Sequence, residues 1–309
     1  MITCPEYMIS SKPKIVVVVG PTASGKTALA INIAKKFSGE VISSDSRQVY
    51  TGLDIGTEKV TPEEMSNIPH HLIDIVEPKI IYTAFDFKKD AEKAIQDIQQ
   101  RGKLPIIAGG TFFYLDILLG RIKTPKVPPN PELRVELEKL DTASLYKRLE
   151  ALDPRRASTI DSQNHRRLIR AIEIANSLGE VPKLKSIDCP YEVLMIGINT
   201  DKQELRTRLR KRAEEALTKG LVEETEQLLK TGVSRERLSE IGLEYRVVLD
   251  YLDNKLSPEE LIQKLEEKNW QYAKKQLLWL KNDESIEWFN PEQAEDILNR
   301  VAEWLQDSE

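Results

Sequence analysis

The residues best suited to chemistry in this sequence form a glycine-rich segment that ends in lysine and threonine. The segment consists of Gly20, Pro21, Thr22, Ala23, Ser24, Gly25, Lys26 and Thr27. It lies between an apolar run, Lys14–Val19, and a segment of helical periodicity, Ala28–Lys35. This order matches a phosphate-binding loop, in which backbone N–H groups and a helix N-terminus attract phosphate oxygens. Lys26 can reach a terminal phosphate and the Thr27 hydroxyl can bind Mg²⁺, so the sequence predicts a diphosphate or nucleotide site.

Two further polar residues follow predicted strands. Asp45 ends the run 40–45, and Thr111 follows the run 104–108 and two glycines. Ligands of open parallel sheets bind beyond the carboxyl ends of the strands, so both residues are expected near the phosphates. Asp45 could hold Mg²⁺ through water or act as a base toward a second substrate, and the spacing leaves both open. Thr111 could contact an anion or cap the next helix, and these roles are compatible.

Strand and helix patterns alternate around these residues. Apolar runs at 14–19, 40–45, 104–108 and 193–198 read as strands, and helical patterns separate them. The pattern predicts an α/β fold, a P-loop NTPase-like parallel sheet flanked by helices. Segment 122–189 has only helical patterns and reads as an all-helical insertion domain. We expect a tail at 1–13, with a P-loop core and C-terminal helices at 14–121 and 190–309.

Composition describes a globular protein. The 309 residues are 40% hydrophobic and 31% charged, and no apolar run approaches membrane-span length. The start lacks the apolar core of a signal peptide, and the cysteines, Cys4 and Cys189, lie far apart. These features predict a cytoplasmic protein without a membrane partner. His70 and His71 lack a third ligand at useful spacing, so we predict that one of them packs or hydrogen-bonds in the core.

The charge is distributed unevenly. Of the net −5, the segment Asp283–Glu309 carries −8 and reads as an acidic tail, which leaves +3 for the rest. Local basic patches attract polyanions more than total charge does, so a nucleic-acid partner is compatible with this composition. Arg166, Arg167 and Arg170 form one cationic helical segment, which is either solvated or contacts RNA. Another basic helix, 201–219, carries Arg206, Arg208, Arg210, Lys211 and Arg212.

Seven strings in a fixed order carry a family resemblance. They are GPTASGKT, SSDSRQVY, PHHLID, AGGTFFY, HRRLIRAIEI, EIGLEYR and YAKKQLLWL. Together they resemble the tRNA dimethylallyltransferase (tRNA isopentenyltransferase) family over roughly residues 14–290. The resemblance implies transfer of a dimethylallyl group from its diphosphate to N6 of adenine-37, beside the anticodon. It also implies Mg²⁺, a helical insertion that grips the anticodon arm, and a monomeric enzyme of bacterial type.

The resemblance also implies residue roles. Asp45 would accept the proton of the exocyclic amine, while Lys26, Thr111 and the P-loop stabilise the departing diphosphate. Thr27 is the expected metal ligand. The flipped base would meet Asp45, Ser46, Arg47, Gln48 and Thr111. The anticodon stem-loop would meet Arg134, Arg166, Arg167, Leu168, Ile169, Arg170, Ile241, Gly242, Leu243, Glu244, Tyr245 and Arg246. Matching Arg134 requires one extra residue in the proline-rich linker before it.

Three alternatives remain at this point. A P-loop kinase of small molecules would share the loop and Mg²⁺ but would not need the insertion or its arginines. A prenyltransferase acting on free adenine nucleotide would have a similar core, and the HRRLIR and EIGLEYR strings favour the tRNA version over it. The third alternative is an RNA-binding protein whose P-loop senses nucleotide. The joint presence of Asp45, Lys26, Thr27 and Thr111 favours an enzyme over that reading.

Overall fold

The computed structural model describes residues 12–125, 127–183 and 186–307. Most of the predicted N-terminal tail, including Cys4, lies outside the described residues. The chain divides into two compact units, one comprising Gly120–Asp188 and the other the residues up to Leu119 and from Cys189 onward. The sequence predicts 122–189 for the inserted segment.

The first unit is built on one parallel sheet of six strands in the order β3-β2-β4-β1-β5-β6. The strands are β1 (Lys14–Val19), β2 (Gly39–Ser43), β3 (His70–His71), β4 (Leu104–Ala108), β5 (Glu192–Ile198) and β6 (Ile286–Phe289). In central β1, Val17 pairs with Ile107 on one side and Met195 on the other. A parallel sheet covered on both faces requires apolar residues at successive positions, which explains the unbroken apolar run of β1. The predicted fold class is confirmed.

Helices cover both faces of this sheet. The helices of the whole chain are α1 (Lys26–Lys36), α2 (Pro62–Met65), α3 (Ala84–Gln100), α4 (Phe112–Leu118), α5 (Pro131–Leu137), α6 (Thr142–Leu152), α7 (Pro154–Ala157), α8 (His165–Leu178), α9 (Lys202–Thr218), α10 (Leu221–Lys230), α11 (Arg235–Ile241), α12 (Leu243–Leu252), α13 (Pro258–Leu280) and α14 (Ala294–Gln306). One face packs on α3 and α4, where the rings of Phe87 and Tyr114 stack 4.3 Å apart. The other face packs on α1 and α14. A separate cluster gathers α10 to α13 around fully buried Tyr245.

Two strands and the C-terminal segment differ from the sequence prediction. β3 has only two residues, and its His71 contacts buried Glu40 of β2 through Nε2 at 2.7 Å. The prediction of an acidic tail at 283–309 is wrong, because β6 joins the sheet and α14 packs on it. The acidic residues of α14 alternate with buried Val301 and Trp304, so a charge count conceals an amphipathic helix.

The second unit, Gly120–Asp188, is helical. Helices α5 to α8 pack around an apolar core that includes Leu145, Leu149 and Ile172. Helix α8 begins after Asn164, whose side chain accepts from the Arg167 N–H, and ends at Gly179 with φ of 85°. Across the described residues of both units, no helix is long and apolar enough to cross a membrane.

Candidate functional site

The P-loop connects β1 to α1 beyond the carboxyl edge of the sheet. Gly25 is the N-cap of α1 in the left-handed region, at φ 94°, and its side-chain position meets no atom within 4 Å. Glycine is therefore favoured there by the backbone conformation rather than by crowding. Ala23 is also left-handed, at φ 64°. The first turn of α1 has no side-chain cap, so its N–H groups are available to an anion in the pocket.

Lys26 points back into the loop that it follows. Its Nζ donates to the Pro21 carbonyl at 2.6 Å. Burial, together with the positive charge of Arg212, lowers the pKa of Lys26 to about 8, and the carboxylates of Asp45 and Glu58 oppose this effect. The ammonium group is therefore held in a site that is short of negative charge, which an anionic ligand would supply.

Gln276 of α13 ties the P-loop to the loop after β4. Its Oε1 accepts from the Thr22 N–H at 2.8 Å, and its Nε2 donates to the Gly110 carbonyl at 3.1 Å. A β-carbon on Gly110 would lie 2.4 Å from that nitrogen, so only glycine allows the contact. The site prediction missed Gln276, although it belongs to the YAKKQLLWL string that contributed to the resemblance.

The expected base-facing segment is fastened to the loop after β4. The Ser46 N–H donates to Thr111 Oγ1 at 3.0 Å, and the Thr111 hydroxyl donates to Ser46 Oγ at 3.1 Å. Thr111 is the N-cap residue of α4, but its side chain does not bond the helix. The predicted capping of α4 by the Thr111 hydroxyl is therefore wrong, and the predicted anion contact stays a prediction. The Asp45 carboxylate lies two residues beyond β2 and accepts from the Arg47 N–H at 2.8 Å.

Arg47 lies between a buried carboxylate and an aromatic ring. Its Nη1 contacts Glu244 Oε2 at 2.6 Å, and its guanidinium carbon is 5.4 Å from the Tyr272 ring centroid. Burial raises the pKa of Glu244, and the charge of Arg47 opposes that effect. Arg47 Nε is 4.0 Å from Asp45 Oδ1. The guanidinium therefore faces Glu244 more closely than Asp45.

Lys26, Asp45 and Arg47 line one pocket of about 530 Å³ within the first unit, and Ser46, Thr111 and Glu244 are not part of its lining. Its charged lining includes Lys26, Asp45, Arg47, Glu58, Arg212 and Lys219. An apolar part of the lining is formed by Ala28, Ile31, Ile55, Val60 and Ala216. Arg212 Nη1 contacts Glu58 Oε2, which is also 3.5 Å from Thr22 Oγ1. The pocket thus combines anion-binding groups, a carboxylate at the end of β2 and an apolar wall.

Four other basic residues of α9 contact carboxylates. Arg206 Nε contacts Glu266 Oε1 of α13 at 2.8 Å, and Arg210 Nε contacts Glu214 Oε1 at 3.1 Å. Lys211 has Glu215 at 3.7 Å. Arg208 contacts Glu204 and also donates to the Ala23 carbonyl at 3.3 Å, so it braces the P-loop.

The expected tRNA-binding residues of the first unit differ in exposure. Ile241 and Tyr245 are buried in the core of α10 to α13, and Glu244 is buried against Arg47. Gly242 separates α11 from α12 and is also buried. Leu243 is half-buried, whereas Arg246 is exposed and donates to the Ser239 carbonyl at 2.8 Å. Most residues of segment 241–246 are therefore buried, and only Arg246 is exposed.

In the second unit, several of the expected tRNA-binding residues are buried or paired with a carboxylate. Leu168 and Ile169 are 0% and 3% exposed, so their side chains belong to the core of that unit. Arg134 makes two contacts of 2.8 Å with the buried Glu173 carboxylate, and Arg170 Nη1 contacts it at 3.1 Å.

Arg166 and Arg167 are exposed on the same helix. Within the described part of the chain, no carboxylate pairs with Arg167.

Comparison with known proteins identifies the family. The family model described as IPP transferase matches residues 48–283. A tRNA dimethylallyltransferase of Thermomicrobium roseum is 40% identical, over 97% of this chain and 94% of its own length. One from Staphylococcus epidermidis is 41% identical, over 91% of this chain and 88% of its own.

Solved structures agree with this assignment. The tRNA isopentenylpyrophosphate transferase of Bacillus halodurans superposes with a TM-score of 0.72 at 35% identity, covering 96% of this chain and 98% of that one. A eukaryotic dimethylallyltransferase, described as acting on tRNA, has a TM-score of 0.76 at 30% identity, covering 96% and 76%. The phosphate-binding loop and the carboxylate beside it thus lie in a chain that belongs to the IPP transferase family.

Proposed function

We propose that this protein transfers a dimethylallyl group from dimethylallyl diphosphate to N6 of adenine-37 in tRNA. The observation that carries the proposal is a single pocket in which an uncapped helix N-terminus and Lys26 lie close to Asp45. The first two suit a diphosphate, and Asp45 suits an amine that must lose a proton. Family membership, and relatives named tRNA dimethylallyltransferase, support the choice of tRNA as acceptor.

The chemistry follows from the donor groups of the pocket. The bond between the allylic carbon and the diphosphate oxygen breaks, and a bond between that carbon and N6 forms. The developing negative charge falls on the diphosphate, where the N–H groups of α1, Lys26 and Arg212 can stabilise it. These groups are fixed before the reaction, so they need little reorganisation as the charge develops.

Asp45 is the group proposed to receive the proton of N6. The exocyclic amine is a weak nucleophile because its lone pair is delocalised into the ring, so removal of the proton as the bond forms assists the attack. The adenine must leave its stack to reach such a pocket. We propose that Ser46, Gln48 and Thr111, which lie beside Asp45, meet the extruded base.

Magnesium fits the oxygen donors present. The Thr27 hydroxyl and the carboxylates of Asp45 and Glu58 line the pocket, and Mg²⁺ prefers such oxygen ligands. In the chain as described, no three His, Cys, Asp or Glu side chains converge as a ready metal cage. We propose that Thr27 would hold the ion, which when bound would supply positive charge against the leaving diphosphate.

A labelling experiment tests the function. Purified protein with Mg²⁺ and labelled dimethylallyl diphosphate is expected to label unmodified tRNA that carries adenine-37, and not the same tRNA with another base there. Labelling of AMP in preference to tRNA would select the free-nucleotide prenyltransferase. Phosphate transfer from ATP to a small molecule would select the kinase. Light scattering of the same sample tests the further proposal of a monomer, and fractionation of cells tests the proposed cytoplasmic location.

A further inference from the structure

A carboxylate outside the pocket holds one of the pocket's loops. Glu224, in the first half of α10, accepts from three successive backbone N–H groups, those of Asp54, Ile55 and Gly56. The distances are 2.9, 2.7 and 2.9 Å. The Tyr245 hydroxyl donates to the same carboxylate at 2.8 Å. Four donors thus converge on one side chain, an arrangement that fixes a backbone segment as an anion is fixed in a nest.

The backbone of segment 54–58 forms a turn that fits against Glu224 and Tyr245. Backbone bonds from Glu58 to Ile55 (3.1 Å) and from Lys59 to Asp54 (2.9 Å) close it into a compact turn. A β-carbon on Gly56 would lie 2.5 Å from the Tyr245 ring, so only glycine lets the turn settle onto that ring. Burial raises the pKa of Tyr245, and Glu224 raises it further, which keeps the hydroxyl protonated as a donor.

Residues 57 and 58 of this turn contact two side chains that line the pocket, Arg212 and Gln48. The Glu58 carboxylate contacts Arg212, a residue on the proposed diphosphate side. The carbonyls of Thr57 and Glu58 accept from Gln48 Nε2 at 3.3 and 3.2 Å. Gln48 lies three residues after Asp45, on the proposed acceptor side. The segment 54–58 is therefore the physical link between the two sides.

We propose that Glu224, supported by Tyr245, is a positioning residue that sets Arg212 and Gln48 relative to each other through the segment 54–58. The inference rests on the proposed function, since it assigns donor and acceptor to these two sides. It also assigns a role to Tyr245 of the EIGLEYR string, which is to hold the Glu224 carboxylate by a hydrogen bond. Neither Glu224 nor Tyr245 lines the pocket, so each acts through the turn and not on a substrate.

The test uses Glu224→Gln in the full chain, with Glu223→Gln as the matched control. Glutamine places an NH₂ group against backbone N–H donors, so at least one of the three bonds is lost. Glu223 is exposed on the same helix and makes no bond to the turn. We expect kcat to fall about tenfold or more in E224Q, because misplacement of two reactants slows their reaction. Both KM values should change less than kcat, and E223Q should match wild type.

Two readouts separate positioning from general damage. Amide hydrogen exchange of the peptide that spans 53–59 should accelerate in E224Q while the strands β1 and β4 keep their protection. In a double-mutant cycle with Gln48→Ala, the two losses of kcat should combine to less than their product, because both act through the same contact. Tyr245→Phe, which removes only the hydroxyl, should show a smaller change of the same kind.

Some outcomes overturn the inference. One is exchange in 53–59 that stays as in wild type. Another is a kcat of E224Q equal to that of E223Q. A third is a double mutant of Glu224→Gln and Gln48→Ala whose loss of kcat equals the product of the two single losses. The exchange measurement needs no activity. It therefore tests whether Glu224 holds the segment 54–58 even if wild-type protein transfers no label to tRNA. That last result would reject the proposed function instead.

Discussion

Asp45 keeps its carboxylate available because its cationic neighbour is held by another acid. Arg47 Nη1 is 2.6 Å from Glu244, whereas Arg47 Nε is 4.0 Å from Asp45. Buried Glu244 thus contacts the Arg47 guanidinium more closely than Asp45 does.

Asp45→Asn tests the proposed base. Asparagine can still accept from the Arg47 N–H, so the local turn is expected to persist. Turnover should fall by about 10² to 10⁴, the usual contribution of a positioned base, while tRNA binding stays within a few-fold. Transfer of labelled donor and fluorescence anisotropy with tRNA measure the two effects. Glu223→Gln, at an exposed carboxylate outside the pocket, is the control, and an equal loss of tRNA binding in D45N would make Asp45 a docking residue.

Lys26 predicts a pH dependence of donor binding. With a pKa of about 8, Lys26 in the empty pocket loses its proton as the pH rises through that value. A bound diphosphate favours the charged form, so binding takes up a proton, and affinity should fall from about pH 7 to pH 9. Calorimetry in two buffers of different ionisation enthalpy measures the uptake. Lys26→Met should bind weakly and without this slope, and a wild-type affinity that is flat over the range would contradict the assignment.

Arg167 carries the expectation of RNA contact in the second unit. It is exposed on α8, and among the residues described there no acid pairs with it. Arg167→Ala should weaken tRNA binding and reduce the slope of log affinity against log salt by about one, as loss of one phosphate contact does. Arg148→Ala, at an arginine paired with Glu136, serves as the control. A salt slope unchanged from wild type would show that Arg167 makes no phosphate contact and is only solvated.

Helix α13 contributes Tyr272 and Gln276 to the site, and Gln276 joins two of its loops. Gln276→Met keeps the volume but removes both the acceptor for Thr22 N–H and the donor for the Gly110 carbonyl. We expect the KM for donor to rise about tenfold and the free energy of unfolding to fall by about 1–3 kcal/mol, because two buried backbone groups lose their partner. Steady-state kinetics and urea unfolding measure the two effects. Gln271→Met, on an exposed face of the same helix, should change neither.

Elements with local signals could be predicted from the sequence, and elements set by distant partners could not. Helix α8 lies in the segment 122–189 that the sequence predicts to be helical, and Asn164 and Gly179 mark its ends locally. The two-residue β3 exists only through its pairing with Val41 and Ile42 of β2. Family strings also name residues without naming the face on which they lie, so Leu168 and Tyr245 read as RNA contacts although both are interior.

The sheet as a whole carries an ionic cluster at the end opposite the pocket. Glu40, 1% exposed at the start of β2, contacts Arg101, Lys103 and His71. Hydrogen bonding from Arg101, with help from Lys103 and His71, holds the pKa of Glu40 well below its usual range. A depressed pKa contributes stability above the pKa of the unfolded chain, about 4.3, and this contribution is lost as the pH falls toward the folded value.

Glu40→Gln should therefore lower the melting temperature at pH 7 by several degrees and flatten its decline on acidification below about pH 4.5. Calorimetric melting across pH 3 to 7 measures both effects. Donor binding should persist at temperatures where the variant is folded, because Glu40 lies away from the pocket. Glu92→Gln, at an exposed pair with Lys88, is the control. A variant that melts like wild type at pH 7 would show that the cluster adds nothing to the stability of the molecule.

The bond between Thr22 and Gln276 joins positions 254 residues apart in the chain. During synthesis, the ribosome has therefore made most of the polypeptide before the glycine loop near its start can acquire this partner. Until α13 emerges from the exit tunnel, that loop lacks one of its fixed contacts. A nascent chain paused earlier therefore lacks this contact of the proposed diphosphate site, and translation delays completion of that site until the end of the chain is being made.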